Sequence, residues 1–170
     1  MSLTLILIRH AKSDWNDPHL ADHDRPLNAR GRRAAPRIGA WLSLQGLTPG
    51  AVLCSSARRT QQTWAGIASR LPNAPAPELS RSLYHAEPAQ MMQAIRRASA
   101  SPLILVGHNP GIGSLARLLC KHPPAHSKFD FYPTGATLIL RFDAANWSGA
   151  KPCRGEVLGF IIPPDLPDPE

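Results

Sequence analysis

Three short polar segments of the sequence contain two histidines and several arginines, and each segment follows an apolar run. The segments are Arg9–His10, Ser56–Arg59 and Gly107–Asn109. Guanidinium groups form paired hydrogen bonds with phosphate or carboxylate oxygens, and a neutral imidazole is a nucleophile near neutral pH. Residues of these types could bind an oxyanion and place one imidazole where it can attack the bound group.

The apolar runs before these segments predict buried strands over residues 3–8, 51–55 and 103–106. Continuous apolar runs of this length are typical of strands that are covered on both faces in a parallel sheet. Ligands of open α/β sheets bind beyond the carboxyl ends of the strands. We therefore expect the histidines and arginines of the three segments to meet at one edge of the sheet.

Segments with helical spacing of apolar residues alternate with the strands. Helices are predicted at 28–45, at 57–71, from Pro88 onward and after Gly111, and further strands at 78–83, 136–142 and 156–162. The alternation predicts a single α/β domain over residues 1–162, built on an open, mostly parallel sheet with helices on both faces and no large cap insertion. Residues 163–170 (PPDLPDPE) are expected to form a mobile, Pro-rich acidic tail.

Length and composition exclude several classes of protein. The chain has 170 residues and a net charge of +7, and 15 of its 19 basic residues are arginines. The apolar run at residues 3–8 is too short to span a bilayer and lacks the features of a signal peptide. Three cysteines without a C-x-x-C pair fit neither a disulfide framework nor a structural zinc site. The composition predicts a soluble, cytoplasmic protein whose partner is anionic: nucleic acid, anionic lipid or a phosphorylated substrate.

Four motifs of the chain resemble those of the histidine phosphatase (phosphoglycerate mutase-like) superfamily. Residues 9–16 (RHAKSDWN) are similar to R-H-G-E-S-x-W-N, residues 25–31 (RPLNARG) to R-P-L-(T/S)-x-x-G, residues 55–63 (SSARRTQQT) to S-x-x-x-R-x-x-Q-T, and residues 106–109 (VGHN) to the late G-H. The motifs stand in the family's order. The short chain and the Arg-Pro-Leu segment most resemble the SixA-type phosphohistidine phosphatases, whose fold and activity are therefore expected here.

The resemblance implies a role for each residue that matches a central motif position. His10 would be the nucleophile that takes up the phosphoryl group. The residues that would bind the phosphoryl oxygens are Arg9, Arg58 and His108. Arg59 is expected at the surface, at the start of a helix.

The resemblance also implies substrate contacts outside this central set, by Arg25, Asn16 and Ser13. It implies no metal and no other cofactor. Arginines supply the positive charge that stabilises a transferring phosphoryl group, so that a metal ion is not needed for that purpose.

The chain departs from the family's motifs at several positions. Ala11 stands where the family has glycine, and Lys12 replaces an acidic residue and makes the mouth of the site more positive. The general-acid glutamate that is frequent in the family has one candidate here, Glu87, to which the sequence assigns no firm role. His85 is expected in a solvent-facing loop, where it could line the mouth of the site.

The sequence thus predicts a metal-independent phosphatase that forms a phosphohistidine intermediate on His10 and removes phosphate from phosphohistidine in a protein, such as a phosphotransfer domain. A small-molecule phosphomonoesterase on the same scaffold is the alternative. A basic nucleic-acid-binding module is less favoured, because it needs exposed aromatic residues or a recognised binding fold, and neither is evident. A catalytically inactive relative is disfavoured by the retained histidines and arginines. Neither a nucleic acid nor a membrane is expected as a partner.

Overall fold

The apolar runs of the sequence form one six-stranded sheet in a computed structural model, which describes residues 1–167. The strands are β1 (Ser2–Arg9), β2 (Ala51–Ser55), β3 (Glu78–Ser80), β4 (Leu103–Gly107), β5 (Thr137–Asp143) and β6 (Glu156–Ile161). In the order β3-β2-β4-β1-β5-β6, the first four strands are parallel and β5 is antiparallel to both of its neighbours. The prediction of an open, mostly parallel sheet is confirmed.

Helices at the predicted places connect the strands. They are α1 (Ala29–Leu44), α2 (Arg58–Ala68), α3 (Pro88–Arg97) and α4 (Gly111–Leu119). The Asn28 side chain caps α1 by accepting a hydrogen bond from the Gly31 N–H. Pro88 begins α3, a position at which its missing N–H breaks no helical hydrogen bond. Within residues 1–167, no helix has both the length and the apolar character needed to cross a membrane.

The side chains of β1 alternate between two apolar cores. Leu5 and Leu7 pack in the core that α3 and α4 cover, whereas Ile6 and Ile8 pack in the core that α1 and α2 cover. All four side chains are fully buried, which stabilises the fold by about 1.5–3 kcal/mol for each relative to exposure. Burial on both faces explains why this run is continuously apolar.

Residues 163–167 pack against α1. Leu166 is 8% exposed and belongs to the core that α1 and α2 cover. Arg37 donates hydrogen bonds to three carbonyls of this segment: those of Pro167 at 2.9 Å, of Pro163 at 3.2 Å and of Leu166. The sequence predicts a mobile tail at 163–170, but the burial of Leu166 and the contacts of Arg37 hold the first five residues of that segment on the domain. Residues 168–170 lie outside the described part of the chain.

Candidate active site

The carboxyl ends of β1, β2 and β4 lie side by side and bring the candidate residues together. Arg9 of β1 pairs in register with Gly107 of β4, and the His10 N–H donates to the Gly107 carbonyl at 3.1 Å. Ser55 ends β2, which is the next strand beyond β4. A pocket of about 220 Å³ opens at this edge. Its lining includes Arg9, His10, Ser13, Asp22, Arg25, Arg59, His85 and His108.

The His10 ring is held in the tautomer that a nucleophile requires. Its Nδ1–H donates to the Ala11 carbonyl at 2.7 Å, which leaves the lone pair on Nε2. The side chain is 6% exposed. Burial is the main cause that lowers the His10 pKa to about 3, and the positive charges of Arg9 and Arg59 also lower it. The ring is therefore neutral at neutral pH, and Nε2 is able to attack an electrophile.

Helix α2 fixes the backbone that follows His10. The Ala11 N–H donates to Thr63 Oγ1 at 2.9 Å, and the Thr63 hydroxyl donates to the Arg59 carbonyl at 2.7 Å. Ala11 is fully buried and lies outside the left-handed backbone region that favours glycine. The alanine is therefore accommodated where the family has glycine.

Arg59, and not Arg58, reaches the pocket. The Arg59 side chain is 2% exposed and lines the pocket, whereas Arg58 is exposed at the first position of α2. Consecutive helical residues point about 100° apart, so that only one of the two faces the edge of the sheet. The sequence predicts Arg58 at the site and Arg59 at the surface. The structure shows the opposite, with Arg59 at the pocket and Arg58 at the surface. The spacing R-x-x-Q-T, counted back from Gln62 and Thr63, is the signal in the sequence that indicates Arg59.

Three buried side-chain nitrogens have no hydrogen-bond partner within residues 1–167. They are Arg9 Nε, Arg59 Nε and His108 Nδ1. A buried polar group without a partner costs about 1–3 kcal/mol. All three residues line the same pocket, so that an anion bound there would lie against their side chains.

The side chain of Ser55 holds the His108 ring. Ser55 Oγ lies 2.7 Å from His108 Nε2, and it also accepts a hydrogen bond from the Ala57 N–H at 3.3 Å. The contact fixes the orientation of the His108 ring, and Nδ1 is the ring nitrogen that has no partner among the described residues. Burial is the main cause that lowers the His108 pKa to about 2. The His108 ring at the pocket is therefore neutral at neutral pH.

Two of the three further substrate contacts expected from the sequence lie at the pocket. Arg25 is buried, packs over the Trp15 ring at 3.5 Å from its centroid, and donates to Ser13 Oγ at 2.8 Å. Asn16 is exposed, and its backbone N–H donates to Asp14 Oδ1 at 2.7 Å. The structure therefore brings Arg25 and Ser13 to the pocket but leaves Asn16 outside it, because the turn closed by Asp14 keeps Asn16 at the surface.

Asp22 is a carboxylate at the pocket that the sequence analysis missed. Its Oδ1 accepts from Arg25 at 3.0 and 3.1 Å, and its Oδ2 accepts from Arg59 at 3.0 Å and from the Tyr84 hydroxyl. Burial raises the Asp22 pKa, but the hydrogen bonds from Tyr84, Arg59 and Arg25 outweigh this effect and hold the pKa well below its ordinary value. Asp22 is therefore a carboxylate that orients two arginines. Its spacing from Arg25, i to i+3 on a 3₁₀ turn, is the one local signal for this pair.

Glu87 does not line the pocket, although the sequence makes it the candidate for a general acid. It is exposed at the N-cap of α3, where its backbone N–H donates to Gln90 Oε1 at 2.9 Å. Pro88 begins the helix immediately afterwards, so that Glu87 lies at the N-terminal end of α3 and outside the pocket lining. His85, two residues earlier, lines the pocket instead.

Known proteins resemble this chain in sequence and in structure. The sequence model of the histidine phosphatase superfamily (branch 1) matches residues 5–83. An uncharacterized protein of Mycobacterium tuberculosis is 37% identical over an alignment of 165 residues that covers 92% of this chain and 99% of that protein. A SixA-type protein from Nakamurella multipartitia superposes with a TM-score of 0.80 at 26% identity, covering 96% of this chain and 97% of that one. The protein histidine phosphatase SixA in complex with tungstate superposes with a TM-score of 0.77 at 19% identity, covering 96% and 99%. The chain belongs to the histidine phosphatase superfamily.

In this histidine phosphatase, the R-x-x-Q-T motif joins the pocket to the backbone around it. Gln62 Oε1 accepts from the Leu27 N–H at 2.7 Å, and Thr63 Oγ1 accepts from the Ala11 N–H. Both acceptors belong to α2, which also carries Arg59. The motif thus sets the position of Arg59 relative to the segment that follows His10.

Proposed function

We propose that this histidine phosphatase removes the phosphoryl group from phosphohistidine in a protein, without a metal ion and through a phosphohistidine intermediate on His10. The observation that carries the proposal is that Arg9, Arg59 and His108 line the same pocket as the His10 ring. His10 Nε2 holds a lone pair, because Nδ1–H donates to the Ala11 carbonyl. Phosphoryl transfer depends on such positioning of the nucleophile and on stabilising the charge of the equatorial oxygens.

The reaction consists of two displacements at phosphorus. In the first, His10 Nε2 attacks phosphorus while the bond from phosphorus to the leaving nitrogen breaks, and the leaving ring takes up a proton so that the substrate departs with a neutral imidazole. In the second, water attacks the phosphorus of phosphorylated His10, so that inorganic phosphate departs and His10 becomes neutral again. The hydrogen bond from Nδ1–H to the Ala11 carbonyl stabilises the positive charge that develops on the ring. Arg9 and Arg59 stabilise the negative charge of the phosphoryl oxygens.

A groove beside the pocket favours a protein substrate over a small phosphate ester. The groove has a volume of about 380 Å³, and Lys12 and Thr134 line both it and the pocket. Arg30, Lys128 and the ring of Phe131, which is 72% exposed, lie along it. A polypeptide whose phosphorylated side chain enters the pocket would continue onto this groove.

The charges of the groove favour an acidic polypeptide. Its described lining contains three cations and no carboxylate, and the whole chain has a net charge of +7. Charge complementarity of this kind speeds association and selects partners. We therefore assign as substrate a phosphotransfer protein that carries acidic residues next to its phosphohistidine.

A panel of substrates tests this proposal. It compares kcat/KM for a histidine-phosphorylated protein, phosphoramidate, p-nitrophenyl phosphate and sugar phosphates. We expect the highest kcat/KM with the phosphorylated protein. A clear preference for sugar phosphates would replace the proposal with a small-molecule phosphomonoesterase.

A further inference from the structure

The leaving group needs a proton when it would otherwise depart as an alkoxide or as a ring anion. Two carboxyl groups near the pocket do not supply it. Asp22 is held as a carboxylate by its hydrogen bonds with Arg25, Arg59 and Tyr84. Glu87 lies outside the pocket at the start of α3. The donor must therefore be another group at the pocket.

His85 lies at the pocket and is oriented by Asp22. His85 Nε2 is 3.1 Å from Asp22 Oδ2. Because a carboxylate oxygen only accepts hydrogen bonds, Nε2 must carry a proton. The remaining nitrogen, Nδ1, is then the atom through which the ring can exchange a proton at the pocket. The His85 ring lies 5.2 Å from the His108 ring and 4.1 Å from the Tyr84 ring, measured between centroids.

The backbone of His85 is also unusual. Its φ is +54°, in the left-handed region that residues other than glycine rarely adopt. Such conformations are retained where the surrounding structure requires them, and they cluster at functional sites. Here the conformation occurs in the segment that brings the ring to the pocket, whereas Glu87 two residues later faces solvent.

We propose that His85 is the proton donor to the leaving group and that Asp22 is its positioning residue. This inference rests on the proposed phosphatase reaction. In the first displacement, the protonated His85 ring gives its Nδ1 proton to the leaving atom as the bond from that atom to phosphorus breaks. The leaving atom is the ring nitrogen of phosphohistidine or the ester oxygen of a phosphomonoester. Neutral His85 keeps its Nε2–H on Asp22, and in the second displacement Nδ1 takes a proton from the attacking water.

The test is the dependence of kcat/KM on the leaving group in a His85→Asn variant. Asparagine adopts positive φ more readily than most residues, so that the backbone is kept, but its amide cannot donate a proton as imidazolium does. Nitrophenolate departs without a proton, whereas phenolate departs poorly. We expect His85→Asn to lower kcat/KM by about 100-fold or more for phenyl phosphate and by less than about threefold for p-nitrophenyl phosphate. The matched control, His122→Asn at an exposed histidine, should change neither value.

Chemical rescue separates a proton donor from a merely structural residue. Glycine also keeps the positive φ, and His85→Gly leaves space for a free imidazole. Added imidazole should restore hydrolysis of phenyl phosphate by His85→Gly and leave hydrolysis of p-nitrophenyl phosphate unchanged.

Several outcomes would overturn the assignment of His85. The first two are an equal loss of kcat/KM on both esters in His85→Asn and no loss on either ester. The third is a failure of imidazole to restore hydrolysis of phenyl phosphate by His85→Gly. The fourth is a wild-type enzyme that cleaves p-nitrophenyl phosphate but not phenyl phosphate. A wild-type protein that cleaves none of these substrates, including phosphohistidine, would instead overturn the proposed function itself.

Discussion

The Asp22 carboxyl group and backbone hold the Arg59 guanidinium from one side. Arg59 Nη1 donates to the Asp22 carbonyl at 2.7 Å, and Nη2 donates to Asp22 Oδ2 at 3.0 Å. Arg59 Nε has no partner within the described residues. Asp22 thus fixes the plane of the Arg59 guanidinium and leaves some of its N–H groups free to bind a ligand. Transition-state stabilisation requires donors that are held in place in this way.

Arg59→Ala and Arg58→Ala form a matched pair at neighbouring positions of α2. We expect Arg59→Ala to lower kcat/KM for p-nitrophenyl phosphate by about 100- to 1000-fold, the scale for removing one preorganised donor at an oxyanion. Arg58→Ala should stay within about threefold of wild type, because that side chain is exposed. Circular dichroism of both variants controls for folding. Equal losses in the two variants would contradict the placement of Arg59.

Replacing His10 should abolish turnover, because Nε2 of this ring is the proposed nucleophile. We expect wild-type protein that is quenched during turnover of a labelled substrate to carry acid-labile, base-stable phosphate. His10→Ala should carry none and should show no activity while it remains folded. His122→Ala, at an exposed histidine, should label and turn over as wild type does. Appreciable turnover by folded His10→Ala would falsify the assignment.

The free energy of unfolding should decrease as the pH is lowered from about 6.5 to about 3. Burial lowers the His10 pKa from 6.5 to about 3 in the folded chain, so that within this window the unfolded chain binds the proton and the folded chain does not. The free energy of unfolding then falls by at most about 1.4 kcal/mol per pH unit for this one group. Above about pH 6.5, His10 is neutral in both the folded and the unfolded chain. The group then adds nothing to the pH dependence of the free energy of unfolding.

Urea unfolding of wild type and His10→Asn between pH 7 and pH 4 measures this effect. The variant should show a shallower decrease in stability with falling pH than wild type does. Parallel curves for the two proteins would show that His10 is not buried in its neutral form.

Chelators should leave the activity unchanged, because in the proposed mechanism Arg9 and Arg59 supply the charge for which other phosphatases use metal ions. Vanadate or tungstate should inhibit competitively by binding in the pocket that Arg9, Arg59 and His108 line. Inhibition by tungstate should weaken in Arg59→Ala and stay the same in Arg58→Ala. Loss of activity with EDTA and its recovery with a divalent ion would contradict the metal-free mechanism.

Reversing one charge in the groove should change the enzyme's preference between acidic and basic phosphopeptides. In peptides that carry phosphohistidine between two acidic or two basic residues, wild type should favour the acidic version, and more strongly at low salt. Lys128→Glu should reduce or invert this preference without altering kcat/KM for phosphoramidate. Lys151→Glu, which lies in a separate cleft, is the matched control. If wild type shows no preference between the peptides at low salt, the groove does not bind the substrate.

Several features of the site follow directly from local sequence. The run before Arg9 is continuously apolar, as a strand buried on both faces requires, and the residue that follows such a strand must lie at the edge of the sheet. For this reason Arg9, His10 and His108 could be placed at one edge from the sequence. The number and order of the helices follow in the same way from the period of their apolar residues.

Other features required the packed chain. Whether Arg58 or Arg59 faces the pocket depends on the rotation of α2 about its axis, which its packing against the sheet sets. The contact between Asp22 and His85 joins residues 63 positions apart in two connecting segments, where no apolar period constrains the side chains. Glu87 is excluded from the pocket by the start of α3. The sequence by itself thus determined the sheet, the family and the position of the proposed nucleophile at the sheet edge, because these depend on burial patterns and on chain order. The tertiary structure alone decided which charged side chains from helix starts and loops surround that nucleophile, because their positions depend on contacts between distant segments.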